Sequence, residues 1–435
     1  MSEKKIIILG AGLSGLSCAY HLKKHGIETI IFEKEKDIGG LCRSKKIGGF
    51  IFDYDGHLLH FKTNYASRLV RDLLGNNLKK HLRNSSIFYF YKFIPYPFQT
   101  NLWALPFSVL SDCILGFLKK DKVLTLKDNN SFLNWIYRTF GEGIARYFMI
   151  PYNQKFWRFP LERISCDWID GYIPLLSIED LIKGALKENK DYLGYNGFFW
   201  YPKRGGIESL VLAFSSQIKN IYTHSEAIKI ELKNRKIYFK NGKIENYDYL
   251  ISTIPLIELI RILEGVDSRI ILLSRKLKWL SIFNLNLGIN RKNLSQYHWI
   301  YFPEKKYVFF RIGFPHNFSP SLAPLGKSSV YTEVSYLPSK EIDKNKLTKS
   351  IIDDLKKIGI IRENEDILIK DTNDIKYGYI IYTLDYKSIL GKIFKFLNSH
   401  NIYSVGRYGG WKYATMEDCI LDGRLTAEKI MSKYV

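Results

Sequence analysis

Three glycines and one carboxylate near the start of the chain have the residue types and the spacing that bind a dinucleotide. Gly10, Gly12 and Gly15 follow an apolar run in IIILGAGLSGLSCAYHL (6–22), between a predicted strand and a predicted helix. The first glycine permits a tight turn, the second lets the backbone approach a pyrophosphate, and the third lets the helix pack against the strand. Glu33 ends the next predicted strand, where a carboxylate accepts hydrogen bonds from a ribose. This pattern predicts an adenine dinucleotide, either NAD or FAD.

The segment GGLCRS (39–44), directly after the second strand, favours FAD over NAD. It supplies a second glycine pair, which includes Gly40, and then Arg43. Such an extension resembles that of flavoproteins in which the backbone and an arginine hold the FAD diphosphate. A plain glycine turn with a surface arginine is the alternative, and the upstream fingerprint makes FAD the better interpretation.

The net charge indicates which class of partner binds, and the cysteines indicate the redox setting. Of the 435 residues, 65 are Lys or Arg and 43 are Asp or Glu, and the resulting net charge of +22 favours anionic partners. Because no basic run or RNA-binding motif stands out, we expect a phosphorylated small molecule and no nucleic acid. The five cysteines have neither a CxxC pair nor a metal-binding spacing, which indicates a reducing, cytoplasmic setting and no metal site.

Neither a signal peptide nor a membrane span is predicted. Lys4 and Lys5 lead directly into the first strand, without a preceding apolar segment. The most apolar stretch, NLWALPFSVLSDCILGFL (101–118), contains Pro106 and Asp112, which favour a buried helix over a transmembrane helix. Peripheral contact of this stretch with a membrane surface is the second interpretation.

The order of the predicted elements indicates an α/β fold with a discontinuous Rossmann-like domain. Residues 45–62 predict two short strands and residues 86–98 one strand, after which the pattern is largely helical to about residue 195. Strands return at 219–254, and residues 280–335 alternate like an antiparallel sheet. The predicted domains are an FAD-binding domain (1–90, 197–285 and 395–435), a mainly helical substrate domain (91–196) and an antiparallel-sheet substrate domain (286–394).

Short segments in a fixed order along nearly the whole chain resemble one branch of the glutathione-reductase-like flavoproteins. These segments are FDYDGHLLHF (52–61), IPYPFQTN (94–101), PYNQKFWRFP (151–160), YPKRGG (201–206), FFRIGFPHNFSP (309–320), KYGY (376–379) and GRYGGWKY (406–413). Together they resemble the UDP-galactopyranose mutase and protoporphyrinogen-oxidase-like family, especially its longer, eukaryotic-type mutases. The resemblance implies an FAD-binding fold of that class.

The resemblance also implies roles for residues at the flavin. The Gly56–His57 pair would lie against the flavin ring, where His57 could respond to the charge that forms on reduction, and a core histidine is the alternative. Gly406 and Arg407 would lie where the ribityl phosphate of the flavin meets the start of a helix, and Met416 begins that helix.

A substrate cavity is implied in the same way. Arg311, in an aromatic alternating strand, would bind a substrate diphosphate or would instead form a structural salt bridge. Tyr379 and Tyr413 would donate hydrogen bonds to the same diphosphate, and Asn153 and Trp157 would line the sugar-nucleotide cavity. The alternative for the two tyrosines and for Trp157 is a place in the core.

Two positions depart from the pattern of that family. Asp55 stands where the family usually has glycine, and a carboxylate there is unfavourable beside an anionic reduced flavin unless it points away. Tyr172 falls where the mutases have a second diphosphate-binding arginine, and it offers only one neutral donor. Arg158, Arg163 or Lys203 would then have to supply the missing charge.

The function that these residues favour is a flavin-dependent sugar-nucleotide mutase in cell-surface polysaccharide biosynthesis, with His57 and Arg311 as catalytic residues. The resemblance implies a pyranose-to-furanose ring contraction of a UDP-galactose-like substrate, a need for reduced FAD, NAD(P)H as a candidate reductant, and a homo-oligomer. An FAD-dependent oxidoreductase acting on an amine, a porphyrinogen or a lipid-linked glycan precursor is the second hypothesis. A non-catalytic, flavin-bound scaffold at a membrane-facing surface is the third.

Overall fold

The computed structural model describes residues 4–122, 130–169, 171–188 and 197–433. The strands are β1 (Ile6–Leu9), β2 (Ile30–Phe32), β3 (Ser44–Ile47), β4 (Phe50–Asp53), β5 (Leu78–Leu82), β6 (Ser85–Tyr89), β7 (Lys92–Pro95), β8 (Phe198–Pro202), β9 (Ile221–Tyr222), β10 (Ala227–Glu231), β11 (Lys236–Phe239), β12 (Ile244–Asn246), β13 (Tyr249–Ser252), β14 (Leu263–Glu264), β15 (Lys278–Ile289), β16 (Trp299–Tyr301), β17 (Arg311–Gly313), β18 (Ser328–Tyr336), β19 (Ile367–Ile381) and β20 (Ile402–Ser404). The helices are α1 (Leu13–Lys24), α2 (Asn64–Leu74), α3 (Phe107–Leu118), α4 (Phe132–Ile144), α5 (Ile150–Trp157), α6 (Ile178–Leu186), α7 (Glu208–Ser215), α8 (Leu256–Ile262), α9 (Ser268–Lys276), α10 (Lys344–Lys357), α11 (Tyr386–Ser399), α12 (Gly406–Gly409) and α13 (Met416–Met431).

A five-stranded parallel sheet occupies the centre of the predicted dinucleotide domain. Its strand order is β20-β13-β1-β2-β9, and every neighbouring pair is parallel. Alternate residues of β1 pack in two different hydrophobic cores, because successive side chains of a strand point to opposite faces of the sheet. Ile6 and Ile8 pack in the core that includes α1, α7 and α13, whereas Ile7 and Leu9 pack in the core that includes α8 and α11. Layers on both faces explain why β1 is entirely apolar.

A seven-stranded sheet forms the second main layer, in the order β19-β15-β18-β17-β16-β6-β7. Its pairs are antiparallel except for β16 with β6, which run parallel. The longest pairing joins β15 to β19, whose 15 residues the sequence analysis did not identify as a strand. The two sheets confirm the predicted α/β fold class with a Rossmann-like part and an antiparallel part.

Two of the predicted strands are wrong in detail. The single strand expected at 86–98 is a hairpin, β6 and β7, and it turns at Phe90 and Tyr91, which both have positive φ. The second strand expected within 45–62 does not form, because the hairpin β3–β4 accounts for residues 44–53 and only an isolated bridge at Leu59 follows. In the first place the turn lies within a run of aromatic and apolar residues, whereas in the second it lies at Gly48 and Gly49, inside a segment that was predicted as one strand.

The domain boundaries stay a proposal, and two of them need moving. The division after residue 90 falls between β6 and β7, which pair with each other, and the division after residue 285 falls inside β15. Because hydrogen-bonded strands belong to one sheet, we propose that the sheet domain includes β6, β7 and the whole of β15.

The most apolar stretch of the sequence forms α3, a helix that is only partly buried. Val109, Cys113 and Phe117 lie in the core, whereas Phe107 is 83% exposed and Leu118 is 54% exposed. The prediction of a helix is confirmed, and its outer face is more exposed than the sequence analysis expected. No helix in the described part of the chain combines the length and the apolar character that a membrane crossing requires.

Buried histidines make the stability of the fold sensitive to acid. Burial lowers the pKa of several imidazoles from the ordinary 6.5 to about 4, and these residues are His57, His60, His81, His298 and His316. The folded state therefore binds fewer protons than the unfolded state between these values. The stability that neutral histidines contribute is complete above pH 6.5 and is lost as the pH falls through about 4.

We expect the Tm to fall steeply between pH 6.5 and pH 4 and the fall to be several degrees smaller in His81→Phe. His81 stacks on Phe199 at 5.0 Å, and its Nε2 is buried without a partner among the described residues, so a phenyl ring removes a titrating group without opening a cavity. Thermal unfolding at a series of pH values measures the effect. The exposed His25→Phe is the control, and equal pH profiles for wild type and His81→Phe would contradict the prediction.

Candidate active site

A cavity of about 1060 Å³ opens at the carboxyl ends of the parallel strands. The residue after β1, Gly10, the residue after β2, Glu33, and the residue after β13, Thr253, all line it, as open parallel sheets place their ligands at this edge. The sequence-predicted site residues that line this cavity are Gly10, Gly12, Glu33, Gly40, Arg43, Gly56, His57, Asn153, Trp157, Tyr172, Arg311, Tyr379, Gly406, Arg407, Tyr413 and Met416. Gly15 lies beneath them, outside the lining.

The turn between β1 and α1 leaves a helix N-terminus open to the cavity. Gly10 has φ +98°, a conformation that glycine adopts without strain, and its N–H donates to the Phe32 carbonyl at 2.8 Å. A side chain at Gly15 would overlap the Gly10 carbonyl, whereas a Cβ at Gly12 would have no heavy atom within 4 Å. α1 begins without a side-chain cap, so its first N–H groups are available to phosphate oxygens.

Glu33 is fixed by two backbone donors at the edge of the cavity. Its Oε2 accepts from the Ala11 N–H at 2.8 Å, and its Oε1 accepts from the Glu35 N–H at 3.0 Å. The carboxylate is buried but lines the cavity, so its remaining lone pairs can accept ribose hydroxyls. This is the arrangement that the motif predicts.

The segment after the second strand completes the nucleotide end of the cavity. Gly39 has φ +113°, and its N–H donates to the Ala11 carbonyl at 2.8 Å, which brings Gly40 close to Gly12. Arg43 donates from Nε to the Gly40 carbonyl at 2.8 Å, and its guanidinium lies 4.7 Å from the Tyr54 ring centroid. The glycine pair and the arginine therefore hold the shape of the turn.

Arg407 joins two parts of the cavity wall. Its Nη1 donates to the Ala414 carbonyl at 2.7 Å, next to the start of α13, and its Nη2 donates to the Gly378 carbonyl of β19 at 3.1 Å. The guanidinium also lies 4.8 Å from the ring centroid of Tyr379 and 5.1 Å from that of Tyr413. Arg407 thus positions the two predicted substrate tyrosines.

His57 lines the cavity as a neutral imidazole. Its Nδ1 lies 3.3 Å from the Asp55 carbonyl oxygen. Burial, together with the positive charges of Arg407 and Arg311, lowers the pKa of His57 to about 4. At neutral pH it can therefore exchange hydrogen bonds with a ligand, and it carries no charge. A side chain at Gly56 would overlap the Tyr331 ring, so glycine is required beside it.

Arg311 forms the salt bridge that the sequence analysis weighed against diphosphate binding. Its Nη2 donates to Glu333 Oε1 at 2.6 Å, and its Nε contacts Oε2, so the guanidinium fork is occupied by a carboxylate that is 0% exposed. The two residues face each other in the register of β17 and β18. The sequence analysis missed Glu333, although a lone carboxylate in the buried strand SSVYTEVSY was a signal for it.

Tyr172 bonds to an acid, and the cations predicted to replace the missing arginine at this position do not lie at the cavity. The Tyr172 hydroxyl donates to Asp418 Oδ2 at 3.3 Å, and its ring packs edge-on against Tyr413 at 4.6 Å. The prediction that another cation supplies the missing charge at this cavity is wrong for all three residues named, because none of them lines it: Arg158, Arg163 and Lys203. Arg83, which the sequence analysis did not identify, does line it, and its guanidinium lies 4.4 Å from the Tyr96 ring centroid.

The remaining residues that were predicted to bind substrate line the same cavity. Asn153 and Trp157 lie on α5, where Asn153 donates to the Met149 carbonyl at 2.8 Å and Trp157 is 1% exposed. Tyr379 and Tyr413 stack at 5.9 Å with an interplanar angle of 18°. Among the described residues neither tyrosine hydroxyl has a hydrogen-bond partner, so both donors are available to a ligand.

A family profile for flavin containing amine oxidoreductases matches residues 13–431. The chain belongs to this flavin-containing family. A crystal structure of reduced UDP-galactopyranose mutase superposes with a TM-score of 0.93 at 28% sequence identity, over 99% of this chain and 96% of that chain.

Curated relatives with similar sequences include both a mutase and an oxidase. UDP-galactopyranose mutase of Mycoplasma pneumoniae is 22% identical over 264 residues, which span 55% of this chain and 59% of that protein. Protoporphyrinogen oxidase 2 of Arabidopsis thaliana is 26% identical over 163 residues, which span 35% of this chain and 32% of that protein. The amine oxidoreductase family therefore makes this chain an FAD-dependent enzyme, and both kinds of chemistry occur among its relatives.

The residues at the nucleotide end fit FAD. The uncapped N-terminus of α1 and the open space at Gly12 suit a pyrophosphate, and the fixed carboxylate of Glu33 suits the adenosine ribose. Gly406, at φ +81° beside Ser14, begins α12 and lines the same cavity. The donor set therefore agrees with the cofactor of the amine oxidoreductase family.

Proposed function

We propose that this protein is a flavin-dependent mutase that converts the pyranose ring of a nucleotide sugar, such as UDP-galactose, into a furanose for polysaccharide biosynthesis. The observation that carries the proposal is the stacked pair Tyr379 and Tyr413, whose free hydroxyls face the same cavity as the dinucleotide groove. The whole-length similarity to a reduced UDP-galactopyranose mutase supports it.

In this proposal each residue of the cavity binds or orients a ligand. Reduced FAD supplies a nucleophilic ring nitrogen for the anomeric carbon of the sugar. Tyr379 and Tyr413 donate hydrogen bonds to the diphosphate, and Arg407 holds both rings in place. Asn153 offers its amide oxygen to the sugar, since its nitrogen is already bonded to Met149. His57, as a neutral imidazole, fixes the position of the flavin ring without adding charge to the cavity.

The test is to incubate the purified holoenzyme with UDP-galactopyranose and with UDP-galactofuranose, before and after reduction with dithionite. The proposal expects interconversion only after reduction, with no net consumption of reductant. Turnover of neither sugar nucleotide by the reduced enzyme would contradict it. NAD(P)H as the reductant, a homo-oligomeric assembly, peripheral membrane contact and a cytoplasmic location stay predictions.

A second function, an FAD-dependent oxidoreductase, is favoured by the charge of the cavity. Glu333 neutralises Arg311, and Tyr172 stands where a second arginine was expected, so fewer free cations face a diphosphate than in the predicted mutase site. Under this alternative the enzyme consumes oxygen stoichiometrically with an amine or porphyrinogen substrate. Oxygen uptake with these substrates, together with inert UDP-sugars, would select it.

We expect Tyr379→Phe and Tyr413→Phe each to weaken UDP binding by about 10- to 150-fold, as the loss of one hydrogen bond to a charged group, about 1.5–3 kcal/mol, requires. Neither substitution should change the FAD content, because each removes only a hydroxyl. Calorimetric titration of the holoenzyme with UDP measures the change. The control is Tyr222→Phe, at a tyrosine that is 45% exposed and lies outside the cavity lining. Unchanged affinity in both variants would remove the tyrosines from the diphosphate site.

A further inference from the structure

The loop before His57 places a second carboxyl group against the Arg311–Glu333 pair. Asp55 has φ +96°, an uncommon conformation for a residue other than glycine, and its Oδ1 accepts the N–H of Gly56 at 2.8 Å. The Asp55 carboxyl also contacts the Glu333 carboxylate within hydrogen-bonding range. The residue with the strained backbone, Asp55, is therefore the one whose carboxyl contacts Glu333.

Two carboxylates and one guanidinium share this part of the cavity wall. The ionisable groups that face Asp55 are Glu333, Arg311, Tyr331 and Tyr408, while His57 lies against its carbonyl oxygen. Arg311 is the one cation among them, and its fork is already bonded to Glu333. A second negative charge on Asp55 would have no cation of its own in a poorly solvated place. A proton shared between the two acids removes this cost, because a carboxylic acid donates a strong hydrogen bond to a carboxylate.

We propose that Asp55 is a positioning residue held as a neutral carboxylic acid, which donates a hydrogen bond to Glu333 and keeps the Asp55–Glu333–Arg311 cluster uncharged. Burial raises the pKa of Asp55 well above its ordinary value, and the neighbouring charge of Glu333 raises it further. The cluster then fixes Arg311 and the Asp55–His57 loop at the cavity.

The consequence for binding rests on the proposed function. While Asp55 keeps its proton, the cluster neither attracts nor repels an anionic nucleotide. When alkaline pH removes the proton, the cavity wall gains a negative charge, and a diphosphate binds more weakly. The affinity for an anionic nucleotide beside this cluster therefore depends on the proton of Asp55, since Glu333 already neutralises Arg311.

The first test needs only the FAD-loaded enzyme. The infrared spectrum at neutral pH should contain the carbonyl band of a protonated carboxylic acid that shifts in D₂O and is absent from Asp55→Asn. Asparagine keeps the hydrogen-bond donor and tolerates positive φ, so this variant should retain FAD and fold. Asp53→Asn is the control for the source of the band, because burial raises the pKa of the half-buried Asp53 carboxyl to about 6, and a minor fraction of it keeps its proton at neutral pH.

Thermal stability gives a second readout that needs no substrate. A raised pKa in the folded state means that the contribution of Asp55 is present at low pH and is lost as the pH rises. The Tm of Asp55→Asn should therefore exceed that of wild type increasingly toward alkaline pH, and the two should converge in acid. Asp55→Gly, which removes both the carboxyl and the strained φ, is the second variant in case the amide perturbs the loop.

UDP affinity separates this inference from the proposed function. If UDP binds, its affinity should fall several-fold with rising pH in wild type and stay constant in Asp55→Asn. If UDP does not bind either protein, the proposed function fails, while the infrared band and the Tm profile still decide the state of Asp55. A neutral-pH spectrum in which wild type and Asp55→Asn are identical would overturn the inference, whatever the enzyme turns over.

Discussion

Gly12→Val should yield a folded protein that is colourless because it does not retain FAD. The apo fold has room for the new side chain, since a Cβ at Gly12 meets no heavy atom within 4 Å. That room is where a phosphate must approach the uncapped N-terminus of α1. Losing two hydrogen bonds to a charged group, each about 1.5–3 kcal/mol, weakens FAD binding at least ~100-fold.

The visible spectrum of the purified variant and its titration with FAD measure this effect. Gly391→Val is the matched control, because Gly391 is an exposed helical glycine in α11 whose Cβ would also meet nothing. We expect the control to remain yellow and both apoproteins to unfold cooperatively. A Gly12→Val protein that binds FAD with wild-type affinity would exclude this turn from the cofactor site.

Arg311→Met should destabilise the protein by about 3–5 kcal/mol, as the removal of one partner from a buried ion pair does. Glu333 is 0% exposed, and in this variant it loses the cation with which it pairs in the described part of the chain. The double variant Arg311→Met, Glu333→Leu should recover much of the loss, because an apolar pair carries no desolvation penalty. Unfolding by urea at saturating FAD measures all three proteins, so that cofactor binding contributes equally to each.

An exposed ion pair provides the comparison for this result. Lys183 and Glu179 are 59% and 75% exposed and lie one helical turn apart in α6. Lys183→Met should change the free energy of unfolding by no more than about 0.5 kcal/mol. If Arg311→Met is equally mild, the Arg311–Glu333 contact does not stabilise the fold, and Arg311 is free to bind a ligand instead.

The sequence predicted which residues meet at the strand ends of the cavity because the signals for them are local. Gly10, Gly12 and Glu33 follow adjacent strands, and parallel strands bring such positions to one edge. The aromatic hairpin at 86–98 was harder, since Phe90 and Tyr91 turn the chain without the usual glycine or proline. β19 was missed because its first part alternates between exposed and half-buried residues at a sheet edge.

The substrate end depended on pairings that no local pattern encodes. Arg311 and Glu333 lie on different strands, and only the register of β17 with β18 makes them partners. Likewise the bond from Tyr172 to Asp418 joins distant parts of the chain, so the sequence could not show that its hydroxyl already has an acceptor. The resemblance supplied the positions of these residues, and tertiary contacts determine which atoms remain available.

The two carbonyls that Arg407 holds imply communication between the cofactor and the second ligand. One belongs to Ala414, before α13, and the other to Gly378, beside Tyr379. A nucleotide that displaces Tyr379 therefore strains the hydrogen bond from Arg407 to Ala414, beside α13. Otherwise, the nucleotide binds more tightly because FAD has already fixed this arrangement. By thermodynamic reciprocity, the nucleotide should tighten the equilibrium binding of FAD by the same factor by which FAD tightens the binding of the nucleotide.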